Sequence, residues 1–215
     1  MTAATVRAAL EPLANPADAQ AMSTYMRNHF PFLGIKTPGR REATKELIRS
    51  WRGREPAEVC NLAEELWAQE EREFHYVACD LLRAYKGELG VSWLAALVTT
   101  NSWWDTVDAL AKVVGKRASP RDMRAWSRTD NLWLRRVSVI HQLGFKEKTD
   151  PLLLAEMIDA ANGTGEFFLN KAIGWALRDY ARTEPEWVQR FVEQHDLAPL
   201  ARREALKGLA GNRKA

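Results

Sequence analysis

Apolar residues recur along this chain at intervals of three and four, and hardly anywhere at intervals of two. That spacing belongs to helices with one buried face. In "NSWWDTVDALAKVVG", Trp103, Val107, Leu110 and Val114 stand at i, i+4, i+7 and i+11. In "GEFFLNKAIGWALRDYAR", Leu169, Ile173, Ala176 and Tyr180 keep the same register. Polar punctuation separates such stretches. Asn15-Pro16, Thr37-Pro38, Ser92, Ser102, Ser119-Pro120, Asp150-Pro151 and Thr183 ahead of Pro185 read as helix starts. There a side-chain oxygen caps the first amides, and proline is tolerated in the first turn. Gly87/Gly90, Gly115, Gly144 and Gly163/Gly165 read as stops. No stretch alternates with period two, so the pattern predicts an all-α protein of about twelve helices and no sheet.

Short connections predict antiparallel neighbours. The helices pair as 56–69 with 72–86, 92–100 with 103–114, and 120–128 with 131–143. Each pair fills about 35–40 residues, the size of a HEAT-type repeat. The expectation is a curved solenoid of paired helices, with a compact helical bundle as the alternative. One helix of each pair would line the concave face. No linker or low-complexity segment interrupts the 215 residues, which predicts a single domain over 1–215.

Charge changes the picture. The net charge is only +3, but its distribution is uneven. Lys112–Lys148 holds ten Lys/Arg and three Asp/Glu, whereas Glu55–Asp80 holds eight Asp/Glu and one Lys/Arg. The segment after Ala201 is basic again. Such segregation suits a face that meets a polyanion, and equally an ordinary solvated surface. Cys60 and Cys79 form no CxxC pair, and His29, His75, His141 and His195 lie far apart. No disulfide scaffold, metal or cofactor is expected. The longest apolar runs are far too short for a membrane span. The N-terminus has no continuous apolar stretch of the secretory kind, so a cytoplasmic location is expected.

The helix around Asn101–Gly115 has more aromatic and acidic residues than folding needs. Ser102 reads as its N-cap, with Asp105 completing a capping box. Trp103 belongs to the core stripe. Trp104 and Asp108 are left over, one turn apart on one face. Asp108 lies beyond the first turn and beside the apolar stripe, where a carboxylate needs a partner. The plain alternative is a surface tryptophan beside a solvated aspartate. In the later helix Lys171, Trp175, Arg178 and Arg182 form a second stripe one position from the core stripe. Cations interrupted by an indole suit a nucleic-acid backbone, or an ordinary charged face. Arg136 lies four residues from both Leu132 and Ile140, at the edge of an apolar stripe. It needs an anion, whether a ligand's or a buried partner's.

"SWWDTVD", "LWLRRVSVIHQLGFKEKTD", "FFLNKAIGWALRDYARTEP" and "LAPLARREALKGL" together resemble the AlkD-type DNA alkylation repair glycosylases. "YMRNHFPFLGIKTPGRR" is similar to that family's N-terminal region. The resemblance runs from about Ala19 to Leu209 in unbroken motif order. It implies a curved stack of HEAT-like repeats that cradles duplex DNA. It implies hydrolysis of the N-glycosidic bond of cationic N3- or N7-alkylated purines, with no closed base-flipping pocket. On the matched positions the resemblance implies that Asp108 would be the catalytic carboxylate, with Trp104 and Trp175 flanking the deoxyribose. Arg136 would hold the DNA backbone, and Arg178 and Tyr25 would make further DNA contacts; the Lys171 and Arg182 stripe is expected to join them. The expected partner is double-stranded DNA carrying an alkylated purine, bound by a monomer. A non-catalytic HEAT-like protein that binds bent or branched DNA is the alternative.

Overall fold

The computed structural model describes residues 2–212. Among these are thirteen α-helices and no strand, so the all-α expectation holds with one helix more than the pattern predicted. The chain divides after Gly90 into two compact units.

The first unit contains α1 (Ala3–Leu10), α2 (Pro16–Tyr25), α3 (Thr37–Arg49), α4 (Pro56–Trp67) and α5 (Arg72–Ala84). Helices α4 and α5 pack together as the 56–69/72–86 pair anticipated. Val59, Leu62 and Leu66 meet Phe74, Val77 and Leu81 in a core with almost no exposure. Each such side chain contributes about 1.5–3 kcal/mol by leaving water. Part of the acidic stretch of this unit is consumed internally. Glu73 is fully buried, and its carboxylate accepts hydrogen bonds from the amides of Leu33, Gly34 and Ile35 at 2.9–3.0 Å. Arg72 is buried beside it, 3.7 Å above the Phe30 ring and 3.0 Å from His75 Nδ1. Asp80 pairs with Arg40, Arg41 and Arg83. Glu73 thus ties the extended segment after α2 onto α5, and Asp80 ties α3 to it.

The second unit contains α6 (Val91–Thr99), α7 (Trp104–Val114), α8 (Pro120–Ser127), α9 (Leu132–Ile140), α10 (Pro151–Ala161), α11 (Phe167–Tyr180), α12 (Pro185–Gln194) and α13 (Pro199–Asn212). Helix α9 sits against α6, α7, α8, α10 and α11, and α11 packs along α13. Both predicted core stripes are buried, at Val107, Leu110 and Val114 and at Leu169, Ile173, Ala176 and Tyr180.

The cap signals fared unevenly. Asn15, Ser119 and Asp150 cap their helices through the side chain, as does Asn131, which the pattern had not marked. Thr37 and Ser92 lie inside their helices, and Glu184 rather than Thr183 is the N-cap of α12. Ser102 does not cap α7. Its hydroxyl donates to the Val98 carbonyl at 2.7 Å, closing the end of α6, and Trp103 takes the N-cap position. Gly115 is a right-handed C-cap rather than a left-handed one. A Cβ there would run into the backbone carbonyl of His141, so the glycine serves the close approach of two chain segments.

Candidate functional site

A cavity of about 340 Å³ opens in the second unit, lined by Trp104, Asp108, Arg136, Phe167, Phe168, Lys171, Trp175, Arg178 and Glu204. Helix α7 supplies Trp104 and Asp108 one turn apart. Helix α11 supplies Lys171, Trp175 and Arg178 from the face beside its core stripe. Residues that a helical register alone placed on separate faces of separate helices thus converge on one wall.

Asp108 is the most constrained of them. Its Oδ1 accepts from Arg136 Nε at 2.7 Å and its Oδ2 from Nη2 at 2.8 Å, a two-pronged pair. The side chains are 13% and 5% exposed. The third prong, Nη1, donates to the Phe168 carbonyl at 2.5 Å. Burial pushes the Asp108 carboxyl above its ordinary value of 3.8; the hydrogen bond and charge of Arg136 oppose that, Asp105 adds to it, and Lys112 opposes it. The anion that Arg136 needs is therefore Asp108. Arg136 was expected to hold the DNA backbone; in this structure its Nε, Nη1 and Nη2 donate to a carboxylate and a carbonyl inside the protein.

Trp103 also departs from expectation. It is half-buried rather than a core residue, because as N-cap its backbone is extended and leaves the helical register. Its indole packs edge-on against Trp133 at 5.7 Å and Phe168 at 5.2 Å. Phe168 in turn lies 6.0 Å from the Arg136 guanidinium. This aromatic cluster supports the residue whose carbonyl holds Arg136, with the indole of Trp104 lining the cavity itself.

Of the remaining expected contacts, Lys171 and Arg178 line the cavity. Arg182 lies beyond the end of α11, exposed, 3.9 Å from Asp179, and does not line the cavity. Tyr25 is exposed at the end of α2 in the first unit. Glu204 was missed. It enters the cavity from α13 and accepts from Arg178 at 3.0 Å and Lys207 at 2.7 Å, with Lys171 at 3.7 Å. The Lys207 hydrogen bond, helped by the charges of Lys171, Lys207 and Arg178, holds its carboxyl below the ordinary 4.5 against some desolvation. A signal was present: Ala201, Glu204, Ala205 and Gly208 share one helix face, so the glutamate interrupts a stripe of small residues. Gly174 lets that face come close. A Cβ at Gly174 would lie 2.5 Å from Glu204 Cβ and 2.9 Å from the Ala201 carbonyl. Among the described residues no three His, Cys, Asp or Glu side chains gather to hold a metal, and no helix is long and apolar enough to cross a membrane.

Comparison with known proteins shows the family and the fold of the chain. Residues 6–209 match the family described as DNA alkylation repair enzyme. A solved structure described as a predicted DNA alkylation repair enzyme from Enterococcus faecalis superposes with a TM-score of 0.85 at 37% identity, covering 92% of this chain and 97% of that one. No curated protein matches the chain.

Proposed function

Because the chain belongs to the DNA alkylation repair enzyme family, we propose that it is a DNA glycosylase for cationic N3- or N7-alkylated purines in duplex DNA. The observation that carries this reading is a largely buried carboxylate, Asp108, on a cavity walled by the indoles of Trp104 and Trp175.

A cationic alkylpurine is already a good leaving group. When the bond from C1′ to the base nitrogen breaks, its electron pair neutralises the base, and positive charge passes to the sugar. No acid need protonate the base, in contrast to glycosidases that require a carboxylic acid and a carboxylate. A fixed anion beside C1′ lowers the barrier as the sugar becomes oxocarbenium-like. Asp108 supplies it, and Arg136 keeps it fixed. Water then adds to C1′, and its proton leaves to Asp108 or to solvent. Indole faces on either side attract a cationic sugar by about 0.5–2 kcal/mol each. Glu204 cannot take this part, since three cations already surround it. The base stays in or near the stack, which leaves room for bulky adducts.

The Asp108–Arg136 pair also favours a second reading, a DNA-binding protein without catalysis in which Asp108 is only a counterion. Base release separates the two. Duplex DNA carrying one N7-methylguanine or N3-methyladenine is incubated with excess protein, and free base is scored. The wild type should release base, and Asp108→Asn should slow release roughly 10²–10³-fold while still binding duplex. Because the substituted amide would face a buried guanidinium, a melt accompanies the assay, and a stability loss of about 3 kcal/mol is expected. No release by the wild type on any cationic alkylpurine would leave the binding reading.

A further inference from the structure

Beside the carboxylate that faces the sugar, the cavity holds a second charged assembly. Lys171 and Arg178 of α11 and Lys207 of α13 all point at one carboxylate, Glu204. We propose that these three cations form a preassembled seat for a DNA backbone phosphate flanking the lesion, with Glu204 as the positioning residue that organises it.

Three observations carry the inference. The first is the layering of charge. The Glu204 side chain is 9% exposed, whereas those of Lys171, Arg178 and Lys207 are 42%, 35% and 54% exposed. An arriving anion meets the cations, with the carboxylate behind them. The second is the sum. Three positive charges against one negative leave the cluster two in excess, enough to hold a phosphodiester without emptying the Glu204 pairs. The third is rigidity. Gly174 brings α13 so close to α11 that Glu204 Cβ is pinned against the α11 backbone, so the cations gather at a fixed point. Without that carboxylate, three long side chains of like charge would splay apart. Lys171 and Arg178 line the cavity, and on the exposed face of α13 Lys207 stands with Arg202 and Arg203.

Glu204 thus has a role that an acidic residue rarely has on a DNA-binding surface. Removing its charge should raise attraction for any duplex while disorganising the contact that sets the lesion's register. A merely structural glutamate would produce the opposite pattern, with binding and chemistry falling together.

The test uses the full chain, undamaged duplex for binding across a salt series, and N7-methylguanine duplex for single-turnover release. Lys207→Ala should lower the salt slope on undamaged duplex by about one counterion. Glu204→Gln should bind undamaged duplex as tightly as the wild type or more tightly, yet release base ~10-fold more slowly at saturating protein. A wild-type salt slope in Lys207→Ala overturns the seat. Wild-type release by Glu204→Gln, or weakened binding of undamaged duplex, overturns the organising role. The release arm rests on the glycosylase reading; the salt slope does not. Absence of release by the wild type would refute that reading and leave the seat to be decided by the slope alone.

Discussion

At the scale of single residues, the site depends on which member of each adjacent pair faces the cavity. Arg136 and Asp108 form one buried unit, so Arg136→Gln should cost about 3–5 kcal/mol, the penalty for leaving its partner without a counterion. The salt slope of duplex binding should stay at the wild-type value, because its donors are engaged within the protein. The same variant should alter the pH dependence of base release. Asp108 titrates above 3.8 because it is buried, and Arg136 opposes that shift. The carboxylate is the active form, so release is lost as the pH falls through a value above the ordinary aspartate range. Without Arg136 that acid limb should move further up, read from release rates across a pH series; an unmoved limb would detach Asp108 from the titration. Trp103 and Trp104 should separate in a comparable way. Trp103→Ala empties a place in the cluster with Trp133 and Phe168 and should lower stability by about 3 kcal/mol. Trp104→Ala should leave the melt nearly unchanged and slow release, since its indole lines the cavity. Melts and single-turnover rates on both variants decide the assignment; the reverse pattern would place the wrong indole at the sugar.

At the scale of elements, the site depends on how closely α13 approaches α11. Helical register already put Lys171, Trp175 and Arg178 on one face, but α13 supplies the charge that gathers the two cations. Gly174 sits where the helices meet, with the Ala201 carbonyl and Glu204 Cβ as neighbours. Neither can move aside as the end of a flexible side chain could. Gly174→Ala should therefore push the helices apart and cost about 1–3 kcal/mol, although alanine is the better helix former. Base release should fall with it, because Glu204 and its cations shift relative to Asp108. A variant as stable as the wild type, measured by thermal melt, would mean that the contact yields without strain.

At the scale of the whole molecule, the expectation was a single domain over 1–215, and the chain divides after Gly90 into two compact units. We propose that they unfold together. One cooperative transition, identical by circular dichroism and by tryptophan fluorescence, is the expected result. Two separated transitions, one matching the isolated behaviour of residues 1–90, would divide the protein after Gly90.

The helices were legible in the sequence because their information is local. Apolar spacing set the buried faces of α7 and α11, and Asn15, Ser119 and Asp150 marked starts that the structure keeps. The leftover status of Trp104 and Asp108 was legible too, as the part of α7 that neither cap nor core explains. The counterion of Arg136 was not. A charge beside an apolar stripe demands an anion, but whether a phosphate or a carboxylate 28 positions away supplies it depends on how α9 packs against α7. Ser102 turned back to α6, and Trp103 left its helix, for the same reason: each side chain had a better partner outside its own segment. Glu204 lay hidden among small residues whose purpose is a close helix contact, and only the packing of α13 on α11 turned that face into a wall of the cavity. Periodicity determined which face of each helix is buried; tertiary contact alone decided which charges meet across the helices, because electrostatic partners are chosen by distance in space.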